Sequence, residues 1–216
     1  MNEREREKWI ALRLGKITAS NMHKVVAKKT TAAYQSYLYE LAYQRYSHKR
    51  IGDDYQSADM IRGIEMEDEA AFAYMLIQNQ SISKADFVYH PTIDGSGASP
   101  DRYSGEDGLV EIKCPRGHNH LATVVGRDKI KREYQLQIQW QLACTEREWC
   151  DFVSYHPDFD HPLKLYVERI YIDHEKVKEL EDAVISFNEE VESIVSELIQ
   201  MSYKRPKVTA QPSELG

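Results

Sequence analysis

The spacing of apolar residues changes period four times along this chain, and that alternation limits the folds open to it. Up to residue 79 the spacing is helical. Residues 3–14 set Trp9, Ile10 and Leu12 among charges and stop at Gly15. A short second helix follows, with Thr18 or Ser20 as N-cap and Met22, Val25 and Val26 facing inward. Residues 32–47 form a third helix bearing Tyr34, Tyr37, Tyr39, Tyr43 and Tyr46. A fourth spans 57–79 and carries the acidic cluster Glu65, Glu67, Asp68 and Glu69. A period of two then takes over at 86–90 and 92–94, and again in LVEIKC at 109–114, which Pro115 stops. Residues 95–108, rich in Gly, Ser and Asp, read as turns. The helical period returns weakly over 118–126 and strongly over 130–144. Alternating strands follow at 149–156 and 163–172. One long helix then runs from Asp173 to about Tyr203, with Val177, Leu180, Val184, Ile185, Val191, Ile194 and Leu198 on its apolar face. Helices, a small sheet with an embedded helix, then a helix predict an α/β (α+β) fold. One domain over 1–203 and a flexible tail at 204–216 are expected.

At 216 residues, a single core is expected to bury roughly 70% of the unfolded chain's surface, and 42% hydrophobic residues suffice to build it. Nothing approaches the ~18 uninterrupted apolar residues of a membrane span, and the start MNEREREKWI is unlike a signal peptide. A soluble, intracellular protein with no membrane partner is expected. Cys114, Cys144 and Cys150 form no CxxC, which argues against a disulfide scaffold and a four-cysteine metal site. The formal charge of -7 argues against coating nucleic acid by bulk attraction. It leaves room for a locally basic groove drawn from Arg127, Lys129, Lys131 and Arg132 with Lys28, Lys29, Lys49 and Arg50. The same charges also describe a solvated helix face.

The chemistry lies in Ser99-Pro100-Asp101, nine residues, then Glu111-Ile112-Lys113. In a strand the side chains at 111 and 113 share a face. Turn residues at 104–108 let 99–103 fold back beside 109–113, which brings Asp101 to Glu111. Adjacent carboxylates repel, and a divalent cation removes that cost; hard oxygen ligands suit Mg²⁺ or Mn²⁺. The Ile112 carbonyl can complete the set. Beside such an ion the Lys113 ammonium can orient a nucleophilic water and offset charge on a pentacovalent phosphorus. Taken alone, the pattern also describes a charged surface hairpin. His118-Asn119-His120 invites an HNH-nuclease or zinc reading but lacks the surrounding signature.

The chain also carries, in order, Trp9 followed by LRLGKITAS at 12–20, GIEME at 63–67, SPD at 99–101, EIKCP at 111–115 and YQLQIQ at 134–139. With these it resembles the lambda-exonuclease branch, the YqaJ-type viral recombinase (alkaline exonuclease) family, of the PD-(D/E)xK nucleases. The resemblance runs from residue 9 to about 140, and the strands at 149–156 and 163–172 have counterparts in the family. It implies a restriction-endonuclease-like core, a small mixed central sheet flanked by helices. It also implies a processive, Mg²⁺-dependent 5′–3′ exonuclease on linear double-stranded DNA. Such an enzyme releases mononucleotides and leaves 3′ single-stranded overhangs for annealing recombination.

By that resemblance Asp101, Glu111, the Ile112 carbonyl and Glu67 are metal ligands; helical spacing alone does not select Glu67 over Asp68 or Glu65. Lys113 is the catalytic lysine, and Gln137 supplies an amide beside it. Arg13 and Ser20, assisted by Thr18, match a pocket for the 5′-terminal phosphate, which suits a guanidinium fork and a hydroxyl near a helix start. On the residues alone, a surface arginine and an N-cap serine describe them. Met60 matches a wedge between terminal base pairs, or is a core methionine. Arg102 stands where the family usually has glycine, and a cation there can touch the scissile strand. The resemblance further implies a homotrimeric ring around DNA and a phage single-strand annealing protein as partner. It places the protein, phage or prophage encoded, in the bacterial cytoplasm. The alternatives are a restriction-like or RecB-type endonuclease, or a non-catalytic DNA-end-binding subunit; the intact Asp101, Glu111 and Lys113 argue against the last.

Overall fold

The stretch Gly108–Lys113 has apolar side chains on both of its faces, as a strand covered on both sides requires. In the computed structural model, which describes residues 3–50, 58–127 and 130–204, it is the central strand of the larger of two sheets. In chain order the elements begin with α1 (Glu3–Arg13), β1 (Ile17–Thr18), a 3-10 turn (Ala19–Asn21), α2 (Met22–Val25), α3 (Ala32–Ser47) and α4 (Ala58–Gln78). The middle of the chain gives β2 (Ile82–Lys84), β3 (Val88–Tyr89), β4 (Ser96–Ala98), β5 (Arg102–Ser104) and β6 (Gly108–Lys113). Then follow α5 (Gly117–Val124), α6 (Arg132–Thr145), β7 (Trp149–Tyr155), β8 (Leu165–Tyr171) and α7 (His174–Lys204).

The large sheet has the order β2-β5-β6-β7-β8, antiparallel except for the parallel pairing of β6 with β7. The small sheet, β1-β4-β3, pairs β1 with β4 in parallel and β3 with β4 antiparallel. Strand parity sorts the large sheet's side chains. Val110, Ile112, Val153 and Tyr155 pack against Ala70, Ala71 and Tyr74 of α4. Leu109, Cys150 and Phe152 pack on the other face against Ile138 and Leu142 of α6. The third core joins α2, α3, α6 and α7, where the rings of Tyr34 and Tyr37 meet Phe187 at centroid distances of 4.9 and 5.5 Å. The tyrosine stripe therefore splits, since Tyr39, Tyr43 and Tyr46 are exposed.

The mixed sheet flanked by helices agrees with the expected fold class. The segment 95–108 differs from the turn reading, because it holds β4 and β5. Ser96, Gly97 and Ala98 give no alternating signal, yet they form a strand because β1 and β3 pair with them on either side, and the Phe87 ring fills the space a side chain at Gly97 would need. Residues 92–94 are not a strand; the His90 imidazole accepts the backbone N–H groups of Thr92 and Ile93 and turns the chain there. Neither Thr18 nor Ser20 caps a helix by its side chain; Thr18 stands at the N-cap position of the 3-10 turn, but its hydroxyl accepts from the Asn21 amide. The tail from 205 onward lies outside the described residues, among which no helix is long and apolar enough to cross a membrane.

Candidate active site

The β5–β6 pairing sets Arg102 opposite Val110 and Ser104 opposite Gly108. Extending this register by one residue puts Asp101 opposite Glu111, and opposed residues share a face. That face looks toward α6. The Ile112 N–H donates to Asp101 Oδ2 at 2.7 Å, which fixes the aspartate beside the strand. Glu111 is fully buried and accepts three hydrogen bonds. Lys113 Nζ reaches Oε1 at 2.5 Å, Gln137 Nε2 reaches Oε1 at 2.6 Å, and Gln141 Nε2 reaches Oε2 at 2.7 Å. The Lys113 ammonium also lies 4.9 Å from the ring centroid of Tyr134, a cation–π contact.

These contacts set the charge states. Burial, and then the negative charge of Glu111, push the Asp101 carboxyl well above the usual carboxylate range. For Lys113 burial alone would lower the pKa, but Glu111 and Asp101 outweigh it and hold the ammonium protonated. Two carboxylates thus share one lysine, and a further cation would let Asp101 give up its proton. A hard divalent cation fits that donor set, with the Ile112 carbonyl, next to Glu111 on β6, as a further oxygen.

Glu67 lies near enough for its charge to add to the upward push on Asp101, but its carboxylate is held by Arg102. Arg102 is buried at 5% exposure, and its guanidinium holds Glu67 Oε1 at 2.5 Å and Asp68 Oδ1 at 2.6 Å. Strand parity is the cause: Arg102 lies opposite Val110, so it points to the α4 face, away from Glu111. In the DNA-free chain the Arg102 cation is thus paired with Glu67 and Asp68. Among the described residues no group of three acidic, histidine or cysteine side chains converges as a metal site.

Arg13 reaches the centre from α1. Its Nη1 donates to Ser99 Oγ at 3.0 Å, two residues before Asp101, and its guanidinium stacks on Trp9 at 4.2 Å. Burial lowers its pKa to about 10, which marks a cation short of compensating negative charge. Thr18 is buried and Ser20 exposed; their hydroxyls lie 3.5 Å apart, and Asn21 donates to Thr18 Oγ1 at 3.0 Å. Lys131 and Arg132 are exposed at the start of α6, whereas Lys129 and the Met60 side chain lie outside the described residues. His118 is exposed, and His120 is buried with its ring nitrogens 2.9 Å from Ser154 Oγ and 2.8 Å from the Leu163 carbonyl, which leaves neither for zinc. Gln141, Tyr134 and Ser99 are the site neighbours that the sequence reading passed over. Gln141 follows Gln137 by one helical turn, and that spacing was the available signal.

An acidic pair and a lysine on adjoining strands of a mixed sheet, backed by a glutamine-bearing helix, define the PD-(D/E)xK class of nucleases. The YqaJ-like viral recombinase domain pattern matches residues 8–148, and the chain belongs to that family. The crystal structure of an alkaline exonuclease (LHK-Exo) from Laribacter hongkongensis is similar, with TM-score 0.85 and 38% identity over 92% of this chain and 98% of that one. LHK-Exo in complex with dAMP matches equally well, with TM-score 0.85 and 38% identity over the same shares. A phage related exonuclease from Haemophilus somnus 129PT shares the fold, with TM-score 0.66 and 14% identity over 85% of this chain and 96% of that one. No curated protein matches. The chain is thus a DNA exonuclease of the viral recombinase type.

Proposed function

We propose that this exonuclease acts processively from the 5′ end of linear double-stranded DNA, prefers a 5′-phosphate, releases mononucleotides and leaves 3′ single-stranded overhangs. The observation that carries this reading is the nearness of two sites, an undercompensated cation at Arg13 and an acidic pair at Asp101 and Glu111 that shares one lysine. Ser99 links them, two residues from Asp101. Two extended residues span roughly 7 Å, about the reach of one nucleotide.

Asp101, Glu111 and the Ile112 carbonyl would hold Mg²⁺, for which Mn²⁺ can substitute; the ion supplies Lewis acidity at the phosphodiester. Lys113, held protonated, can only donate, so it orients the attacking water and stabilises charge on phosphorus. Gln137 and Gln141 keep Glu111 in place through their amides. Arg13, with Ser20 and Thr18, receives the 5′-phosphate, and a phosphate would supply the negative charge that its surroundings lack. Exposed Lys131 and Arg132 flank the DNA path. Residues 1–203 work as one domain, assembled as a homotrimer that encloses the duplex and hands the exposed strand to a phage single-strand annealing protein in the bacterial cytoplasm. The family supports a phage origin.

Digestion of a linear duplex labelled separately at each 5′ and 3′ terminus, with and without Mg²⁺, tests the reading. The 5′ label should leave first as a mononucleotide, only with metal, and covalently closed circles should stay intact. Cutting of the circles would point instead to a restriction-like or RecB-type endonuclease. Binding of ends without release would point to a non-catalytic subunit.

A further inference from the structure

We propose that Arg45 sets the position of Arg13 relative to the catalytic strand, and with it the preference for a 5′-phosphate. The inference rests on the reading of Arg13 as the phosphate residue. The Arg45 side chain is 13% exposed, and its three nitrogens go to three separate segments. Nε donates to the Gly15 carbonyl at 2.8 Å, Nη2 reaches the Gly95 carbonyl at 3.5 Å, and Nη1 is held by Glu192 of α7 at 2.6 Å. Gly15 follows Arg13 by two residues, in the turn that ends α1. Gly95 leads through β4 to Ser99, whose hydroxyl accepts from Arg13. One guanidinium thus grips both segments that meet in the Arg13–Ser99 contact. Gln44, its neighbour on α3, takes the other polar group of the same turn and accepts the Gly15 N–H at 2.8 Å. The Ile17 N–H shares the Gly95 carbonyl at 2.8 Å, so the β1–β4 pairing begins where Arg45 ends. Both glycines are left-handed, with φ +69° and +73°, and a Cβ would stand 3.1 Å from Arg45 Cγ at Gly15 and 3.0 Å from Nη2 at Gly95. The hydrogen bonds of Arg45 go to main-chain oxygens and Glu192 rather than to the acidic pair, so it is a positioning residue that acts through Arg13.

The experiment is single-turnover digestion, with Mg²⁺, of one linear duplex carrying either a 5′-phosphate or a 5′-hydroxyl, by the native chain, Arg45→Met, Arg13→Ala and the double variant. Arg45→Met keeps the aliphatic stem against Gly15 and removes the guanidinium. The ratio of phosphate to hydroxyl rates is expected to fall by about tenfold, within the roughly hundredfold that a misplacement of about 1 Å can cost. The double variant should show the ratio of Arg13→Ala alone, because a residue that acts through Arg13 then has nothing left to place. A native ratio in Arg45→Met, or losses that multiply in the double variant, would overturn the inference. A native ratio in Arg13→Ala removes the phosphate reading and the inference with it. A lowered ratio in Arg13→Ala beside a native one in Arg45→Met leaves the reading and sinks the inference alone. Circular dichroism melting reports whether Arg45→Met is folded. If it is not, Gln44→Met, which removes the acceptor for the Gly15 N–H, decides on the same ratio. A fall of about twofold to tenfold, as for one lost hydrogen bond, supports positioning, and a native ratio overturns it.

Discussion

The two faces of the large sheet each bury a charged network, and the networks differ in whether their charges balance. On the α4 face, Asp151 accepts Tyr74 Oη at 2.6 Å and Arg169 Nε and Nη2 at 2.7 and 2.9 Å. One carboxylate meets one guanidinium, and the paired hydrogen bonds raise the Arg169 pKa further. On the α6 face, Asp101 and Glu111 share the single ammonium of Lys113. Both faces bury a carboxylate, Asp151 on one and Glu111 on the other, so burial of charge does not by itself mark a site. The imbalance does. A closed network serves the fold, and one whose second carboxyl lacks a cation has use for one that arrives from outside.

Breaking the open network at its one cation should give the largest effect. Lys113→Ala is expected to slow nucleotide release by about 10³-fold, in the range for a positioned proton-bearing or charge-stabilising group. End binding in a gel-shift assay should stay near native. Single-turnover digestion of a labelled duplex makes the measurement, and release at the native rate would remove Lys113 from the chemistry.

Breaking the closed network should cost stability instead. Asp151→Asn leaves Arg169 without its carboxylate and Tyr74 with a weaker acceptor. The Arg169 side chain is 39% exposed and regains some hydration, so the loss is expected at about 2 kcal/mol, or about 4–8 °C in melting temperature. Nucleotide release per folded molecule should stay near native. A rate loss comparable with that of Lys113→Ala would mean that the two faces are not separate in function.

Arg13 extends the comparison to a cation that meets a hydroxyl and an aromatic ring and, among the described residues, no carboxylate. Arg13→Ala is expected to reduce digestion of 5′-phosphorylated ends by about tenfold to a hundredfold, consistent with losing a charge-assisted phosphate contact of about 1.5–3 kcal/mol. Ends with a 5′-hydroxyl should be affected little. Equal losses on both substrates would show that the guanidinium supports the Ser99 segment rather than a phosphate.

The open network is the part of the molecule most legible in sequence, because its spacing is local. Nine residues rich in turn formers bring Asp101 back to Glu111, and strand parity aligns Lys113 with them. Helix extents read from periodicity also agree with α3, and with α6 within two residues. The less legible features depend on partners distant in the chain. Arg13 meets Ser99 across 86 residues, and Arg102 meets Glu67 across 35. The closed network gave no motif at all, since Tyr74, Asp151 and Arg169 come from three elements with no fixed spacing. Even so, the direction of Arg102 was available from parity once β5 was paired with β6.

The smallest effect expected is the sharpest, because it reverses sign between the faces. Burial and Glu111 raise the folded-state pKa of Asp101 above its unfolded value near 3.9. For such a group the stabilising contribution is complete below the unfolded pKa and is lost as pH rises through the folded one. In the metal-free chain at neutral pH, the Asp101 carboxyl therefore opposes folding. Asp101→Asn keeps an oxygen to accept the Ile112 N–H and removes the charge. Its melting temperature should exceed the native value at neutral pH, and the gap should close as pH falls toward about 4. Mg²⁺ should raise the native melting temperature and leave the variant nearly unmoved. The same carboxylate-to-amide change thus stabilises at 101 and destabilises at 151. A melting temperature below native for metal-free Asp101→Asn at neutral pH would place Asp101 in a balanced network like that of Asp151, and the distinction between the faces would fail.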